Sequence, residues 1–387
     1  MDHALPARIR LLREVAEAVT REVIAPQAER VDRDAAWPEQ SLRALGEAGL
    51  LGLTVPRHAG GEGEGLEGLL AVTEAIGRGC ASSALCYAMH CVAAAVIAAK
   101  ATPYQRERYL EPIAAGRHLT SLSLSESGVG SHVYLSETEL RRDGGDFVVD
   151  GLKQFVTSGG HADSYVVSTM SSATDAEPGE FSCLVVDADA PGVSFLEPWQ
   201  GMGMRGNSSR GLLLEGARVP LENLLGEEGD QVWYVFDIVV PYFLTAMSAT
   251  YLAVARSALE LTVHHVRERH FSHTGSALAD APVLQDTVAD MWARVEKTRH
   301  LVYHAARLGD AGDVDALPTI LMSKADVAET AVSVTNDAMT LCGGAAYREN
   351  AQLARLLRDA RASHVMAPTT HTLRQWAARS ILGRPLL

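Results

Sequence analysis

Apolar positions recur at helical spacing through the first third of the chain. Ile9, Leu12, Val15 and Val19 fall near one face of an amphipathic helix. The stretches "SLRALGEAGLLGL" and "EGLLAVTEAIGRGCASSALCYAMHCVAAAVIAA" continue in an Ala- and Leu-rich helical pattern. Turn-forming "PRHAGGEGEG" and "ATPYQRERYLEPIAAGRH" punctuate them. From about residue 119 the pattern changes. Short β-branched and aromatic runs appear in "GDFVVDGLKQFVTSGGHADSYVVSTM", "FSCLVVDADAPGVSFLEP" and "RGLLLEGARVP", separated by Gly, Asp and Ser. Their hairpin spacing predicts a small barrel or sandwich. From about residue 228 long helical segments return, and their lengths and short connections predict a four-helix bundle. Pro241 is placed to start or kink the first of them. The expected class is α+β, with a helical domain at 1–118, a β domain at 119–227 and a helical bundle at 228–387.

Composition narrows the function classes. The 387 residues are 47% hydrophobic and 21% charged, an ordinary globular balance with enough chain for a large core. A formal net charge of −14 argues against nucleic acid or an anionic membrane as partner. The apolar run "CVAAAVIAA" from Cys91 reads as too short and too Ala-rich to cross a bilayer. The N-terminal "MDHALPARIRLLREVAEAV" has no apolar signal core. No membrane insertion and a cytoplasmic location are therefore expected. Cys80, Cys86, Cys91, Cys183 and Cys342 form no C-x-x-C pair and no Cys/His metal spacing. They read as buried free thiols, and no metal is expected.

Candidate chemistry begins at "SLSESGVGSH", where helix gives way to strand. Gly128 and Gly130 expose backbone N–H groups, and Ser125 and Ser131 add hydroxyls. Such a loop suits a flavin ring edge and a pyrophosphate.

The order of helical domain, small β domain and helical bundle resembles the acyl-CoA dehydrogenase family over nearly the whole chain. Four stretches carry the resemblance. "SLSESGVGSH" is similar to the family's "LTEPxAGSD" loop, which implies Leu124, Ser125, Gly130 and Ser131 as contacts to FAD. "DGLKQFVTSGGHADSYVV" is similar to "NGxKxWITNGxxAD", with Lys153, Ser158, Gly159, Ala162 and Asp163 in register. The resemblance implies that Phe155 packs on the isoalloxazine and that the Thr157 hydroxyl reaches flavin N5; Phe in place of Trp keeps an apolar wall. "GMGMRGNSSRGLLLEGARVPLENLLGEEGDQ" resembles the family's exit from the β domain, and Arg205 there reads as a buried Arg in a structural ion pair. "RERHFSHTGSALADAPVLQDTVADM" and "NDAMTLCGGAAYRENAQLARLLRDAR" complete the set. They imply that Arg269 (or Arg267), Phe271, Gln285, Gly343 and Gly344 serve the FAD of a neighbouring subunit, hence a homotetramer or homodimer. Thr340 departs from the Gln usual at that position.

The stretch "RDARASHVMAPTTH" is similar to the family's "RDAKxxxIYEGTxE". The resemblance puts the catalytic Glu at Ala367, the following Gly at Pro368, the Thr at Thr369 and the last Glu at His371. Some members carry the base on the first bundle helix instead; that position falls near Tyr242, which is not a carboxylate either. The family reaction removes the α-proton of an acyl thioester while the β-hydride goes to flavin N5. Two donors hold the thioester carbonyl, and one is the backbone N–H at the Glu position. Ala367 keeps that N–H but lacks a base, a group that contributes about 10²–10⁴-fold.

Three readings follow. In the first, the chain dehydrogenates an acyl-CoA or a carrier-protein-bound acyl thioester, with an electron-transfer partner and a base from elsewhere. His364, His371, His132 and Tyr242 are the candidates. In the second, it is a flavin-dependent monooxygenase on the same fold, fed with reduced flavin by a flavin reductase. Such enzymes carry R-N-x-R-T-H-x-x-H-D-P at this turn, of which Arg358, Arg361 and Pro368 remain. In the third, it is a non-redox or inactive relative.

Overall fold

The computed structural model describes residues 5–130, 132, 134–173, 180–229 and 233–386. Ser131 lies outside the described residues. The N-terminal region is helical. It comprises α1 (Ala7–Val19), a π-helical turn, α2 (Ala25–Arg33), α3 (Glu39–Glu47), α4 (Leu66–Gly77) and α5 (Ala81–Ala99), then the single turns α6 (Pro103–Gln105) and α7 (Glu111–Ala114). On α1, Ile9 and Ala16 are buried, and Leu12 and Val15 pack partly against the core, as the spacing predicts. Helix α5 is buried from Ala81 to Ile97. The run from Cys91 is thus the second half of a 19-residue helix that is long and apolar enough to cross a membrane. A second such helix runs over Tyr234–Glu268, and the most apolar stretch of each is mostly buried inside the fold. Expectation and structure differ here because Ser82, Ser83 and His90 interrupt the apolar pattern without interrupting the helix.

The middle region is two four-stranded sheets, ordered β1-β4-β5-β8 and β2-β3-β7-β6. The strands are β1 (Thr120–Ser123), β2 (Glu139–Asp143), β3 (Asp146–Val156), β4 (Ser164–Met170), β5 (Phe181–Asp187), β6 (Val193–Phe195), β7 (Arg210–Pro220) and β8 (Leu224–Leu225). Among the described strands only β1 pairs in parallel, with β4. Gly144 at φ 63° and Gly145 close the β2–β3 hairpin as a two-residue turn, which needs left-handed backbone. The sheets face each other, so a sandwich rather than a barrel is formed.

Three long helices follow: α8 (Val240–Glu268), α9 (Pro282–Ala311) and α10 (Ala316–Cys342). Two shorter helices, α11 (Gln352–Val365) and α12 (Thr370–Ile381), make the fourth side by packing on α10. Pro241 lies just after a π-helical turn, Tyr234–Val239, that runs directly into α8, so it falls inside a continuous helix and the widened turn precedes the position where a backbone N–H is missing.

Helix α5 joins the helical region to the sandwich through His90, which is fully buried. Its Nε2 donates to the Leu51 carbonyl at 2.9 Å, and its Nδ1 accepts from the Thr120 N–H at 3.1 Å. Both bonds fix the neutral ring, and burial pushes its pKa down to about 4. In the unfolded chain an imidazole titrates near ~6.5. Above that pH His90 is neutral in both states and contributes no pH dependence. As pH falls towards 4 the unfolded state binds the extra proton, so the native state loses stability. Between pH 7 and pH 5 the loss is expected to be about 2 kcal/mol from this residue. Urea unfolding of wild type and His90→Gln at both pH values checks it; equal acid losses in the two proteins would refute the assignment.

Candidate functional site

A cavity of about 530 Å³ opens between the sandwich, α5, the start of α8 and the α11–α12 turn. One wall is the segment after β1, with Leu124, Ser125, Ser127 and Gly130. The next is Phe155 and Thr157 at the end of β3, continued by Met204, Asn207 and Ser209. The floor is apolar: Leu85 and Met89 from α5, and Val240, Phe243, Leu244 and Met247 from α8. Arg361, Ala362 and Val365 of α11, with Met366, Ala367 and Pro368, close the fourth side.

Each wall has an identifiable support. Glu126 holds the loop after β1. Its carboxylate accepts from the Ser136 hydroxyl at 2.9 Å, the Thr138 hydroxyl at 2.7 Å and the Thr138 N–H at 3.2 Å. It also accepts from the Glu137 N–H and pairs with the buried Lys153 ammonium, which donates to Ser168 Oγ at 2.9 Å. Burial opposes ionisation of Glu126, but Lys153 and the other donors outweigh it and hold the carboxyl below its usual range.

Phe155 sits at an irregularity in the β3–β7 pairing with φ 55°, a left-handed backbone that disfavours a bulky residue. This conformation turns the ring outward, leaving it 58% exposed. Ser158, Met204 and Ser208 also have positive φ, so four of the five such non-glycine residues described lie on or beside this cavity. Backbone strain of this kind concentrates at functional sites. The Gly203–Met204 segment docks directly on α11. A Cβ on Gly203 would stand 2.3 Å from the Arg358 carbonyl oxygen, and the Met204 N–H donates to Asp359 at 2.7 Å.

Lys324, buried in α10, holds the turn that carries Ala367. Its ammonium donates to the carbonyl oxygens of Ser363 at 2.9 Å, Met366 at 3.2 Å and Pro368 at 3.0 Å. Burial pushes its pKa down to about 8. The Ala367–Pro368 peptide is cis. The Tyr251 hydroxyl lies 3.1 Å from Met366 Sδ.

The ionisable lining residues are Glu126, Arg358 and Arg361. Glu126 is committed to Lys153, and Arg358 to Asp32. Among the described residues, then, the cavity wall offers no uncommitted carboxylate and no imidazole.

The structure brings Leu124, Ser125, Gly130, Phe155, Thr157 and Ala367 to one cavity. It places the other candidates elsewhere. Tyr242 is absent from the wall and its neighbour Phe243 is in it; burial pushes the Tyr242 phenol up to about 12. A helix turns about 100° per residue, so a one-position difference decides which side chain faces inward. His364 lies 3.4 Å from the Thr370 hydroxyl, and His371 is exposed on α12. His132 lies against the Val129 carbonyl oxygen at 3.1 Å and the Tyr134 ring at 5.6 Å. Thr369 caps α12 through the Thr372 N–H rather than facing the cavity.

Arg269, Phe271, Gln285, Gly343 and Gly344 do not converge on this cavity either. Arg269 lines a separate surface cleft with Cys342 and Ala345, where α8 and α10 end. Phe271 is exposed, and Gln285 donates to the Ala279 carbonyl at 2.9 Å. A Cβ on Gly343 or Gly344 would meet only open space. Arg205 corrects the sequence reading: it is exposed and donates to the Arg33 carbonyl oxygen at 3.3 Å instead of forming a buried ion pair. It sits in a 3-10 turn whose buried residues are Gly206 and Asn207, so the long side chain is left outside.

The lining fits a planar heteroaromatic group with a polar edge. Phe155 and Leu124 supply flat apolar surface. The hydroxyls of Ser125, Ser127, Thr157 and Ser209 make no hydrogen bond to another described residue, so they are available as edge donors. Phe243 lies in no motif; Asn207 and Ser209 lie within "GMGMRGNSSRG", where only Arg205 stands out from the sequence.

The fold and site thus define a two-sheet sandwich between helical regions, enclosing an apolar cavity edged by hydroxyls. Sequence models of the acyl-CoA dehydrogenase N-terminal, middle and C-terminal domains match residues 7–117, 121–217 and 245–382. The chain is 32% identical over 371 residues to cyclohex-1-ene-1-carbonyl-CoA dehydrogenase of Geobacter metallireducens, covering 95% of this chain and 96% of that protein. It is 30% identical over 387 residues to acryloyl-CoA reductase (NADH) of Anaerotignum propionicum, covering 99% and 97%. The crystal structure of an acyl-CoA dehydrogenase from Geobacillus kaustophilus superposes with a TM-score of 0.89 at 25% identity, covering 98% and 99%. The chain belongs to the acyl-CoA dehydrogenase family, whose members are FAD oxidoreductases acting on CH–CH bonds.

Proposed function

We propose that this chain holds FAD in the 530 Å³ cavity and acts there on an acyl thioester with an apolar acyl chain. The observation that carries this reading is convergence. Phe155 and Thr157 from β3, the Ser125–Gly130 segment and the Ala367 turn face one another across a single cavity with an apolar floor. Phe155 and Leu124 take the ring face, and Ser125, Thr157 and Ser209 address its polar edge. FAD supplies a hydride acceptor when bound. The Ala367 N–H makes no backbone hydrogen bond among the described residues and is available to hold the thioester carbonyl. Leu85, Met89, Phe243, Leu244 and Met247 enclose the acyl chain and exclude water. Among the described lining residues proton abstraction has no dedicated side chain, because Glu126 is committed to Lys153. The thioester is carried by coenzyme A or by a carrier protein, and an electron-transfer partner reoxidises the enzyme.

The base-free wall supports a second reading, a monooxygenase that takes reduced flavin from a flavin reductase and needs no proton acceptor at Ala367. Strict dependence of product formation on O₂, NADH and a reductase would select it. Arg269, Phe271, Gln285, Gly343 and Gly344, being remote from the cavity of their own chain and open to solvent, are proposed to meet the FAD of a neighbouring copy in a homodimer or homotetramer. The proposed location is cytoplasmic.

The purified chain is expected to take up one FAD per chain and to run as a dimer or tetramer in light scattering. Denaturation and chromatography distinguish FAD from FMN. A colourless protein that takes up no added FAD would sink the flavin reading, and a monomer with full occupancy would sink the assembly.

A further inference from the structure

From the geometry of the cavity mouth, we infer that Trp199 is a second aromatic contact for the flavin ring and forms a corner with Phe155. The inference rests on the proposed flavin site. Trp199 lines the same cavity and is 59% exposed. An exposed indole on a connecting segment is ordinarily free to reorient, but this one is held. The main chain at Trp199 is anchored: its backbone N–H donates to the Ser209 carbonyl at 2.8 Å, and its backbone carbonyl accepts from the Gly201 N–H at 3.2 Å. The six-membered ring lies so close over Gly201 that a Cβ there would stand 2.4 Å from Trp199 Cζ3. Gly201 thus provides the seat on which the indole rests.

Trp199 and Phe155 have ring centroids 5.8 Å apart and planes at 89°. A planar ring lying flat on Phe155 is therefore perpendicular to the indole and meets it edge to face, a favoured aromatic geometry. Phe155 is itself turned out by its left-handed backbone. Two large apolar rings are thus held rigidly at right angles, both more than half exposed, beside the free hydroxyls of Thr157 and Ser209. Such preorganisation costs the free protein apolar exposure and lowers the cost of ordering a ligand. The occupant that fits is a flat, extended heteroaromatic ring. A flexible acyl chain needs no perpendicular corner, and a second protein copy would leave the adjoining cavity unfilled.

The test is FAD titration of flavin-free protein, followed by tryptophan fluorescence and by the visible flavin band. Trp199→Ala is expected to weaken FAD binding roughly tenfold, in line with the loss of one aromatic contact to a base-like ring. Trp199→Phe should keep most of the affinity while removing the largest part of the fluorescence quenching. Gly201→Ala, which leaves Trp199 in the chain but displaces its ring, should fall between the two. Thermal unfolding of the flavin-free variants should match wild type, since the indole is exposed. Wild-type affinity and an unshifted flavin band in Trp199→Ala would overturn the inference. So would a change confined to thioester binding, which would assign Trp199 to the substrate. If wild type itself binds no FAD, the flavin reading falls and this one falls with it; binding by wild type with no effect of Trp199→Ala overturns this inference alone.

Discussion

Ala367→Glu is expected to accelerate anaerobic flavin reduction by a saturated acyl thioester about 10²–10⁴-fold over wild type, the usual contribution of a positioned base. Ala367 lies in the cavity wall between Met366 and Pro368. A carboxylate introduced there enters a largely apolar space, which raises its pKa towards the range a base needs. The Lys324 ammonium under the same turn limits that rise by favouring the ionised form. Geometry is the second requirement. A residue preceding proline is biased towards extended backbone, so the new side chain is restricted in where it points. Ala367→Glu with Pro368→Gly removes that restriction and is expected to be at least as fast as the single variant. Stopped-flow absorbance under argon, over a series of acyl chain lengths, reads the rate. Fast reduction of the wild type would show that a base exists outside the described wall. Slow reduction in all three proteins, with product formed only from O₂ and reductase-supplied flavin, would transfer the assignment to the oxygenase reading.

Glu126→Ala is expected to destabilise the fold by about 3–5 kcal/mol, the effect of removing one partner from a buried ion pair. Lys153 is completely buried, and without Glu126 its ammonium would keep hydroxyl partners but lose the carboxylate it is paired with. The Thr138 hydroxyl and the Thr138 and Glu137 N–H groups would lose this acceptor at the same time. Lys153→Met should cost a comparable amount, because it strands the carboxylate. The double replacement Glu126→Met with Lys153→Met should recover a large part of either loss, since well-packed apolar residues remove both charges together. Because Glu126 also fixes the segment carrying Ser125, Ser127 and Gly130, flavin uptake should weaken in the single variants beyond what stability explains. Urea midpoints and FAD titration measure the two effects. A loss below about 1 kcal/mol in both single variants would show that the pair is not the support described here.

Much of this molecule is legible from one sequence for physical reasons. Helical and strand periods are local properties, so Ile9, Leu12 and Val15 on α1 and the β-branched runs of β3, β4 and β5 declare their elements without knowledge of the fold. Motif positions such as Phe155 and Thr157 are legible because their spacing follows from the strand that carries them. The reading fails where burial decides. Arg205 sits among motif residues yet is exposed, and a single position separates Tyr242 from the cavity-lining Phe243. The apolar character of α5 suits a lipid-facing or a protein-facing helix equally; only its packing among α4, α8 and β1 distinguishes the two.

The sequence by itself determined the order of helical, β and helical regions and the family, and it supplied the expectations that Ala367 stands at the family's Glu position and that flavin contacts lie on β3 and after β1. Those properties rest on local pattern and on residue identity. Tertiary structure alone decided what surrounds each of them. It joined Glu126 to Lys153 across 27 residues and set the Lys324 ammonium beneath the Ala367 turn. It brought Trp199 against Phe155, and it sent Arg269 and Gly343 to a different face of the chain. Contacts between residues distant in sequence depend on how several elements pack at once, and no periodicity within a single element encodes them.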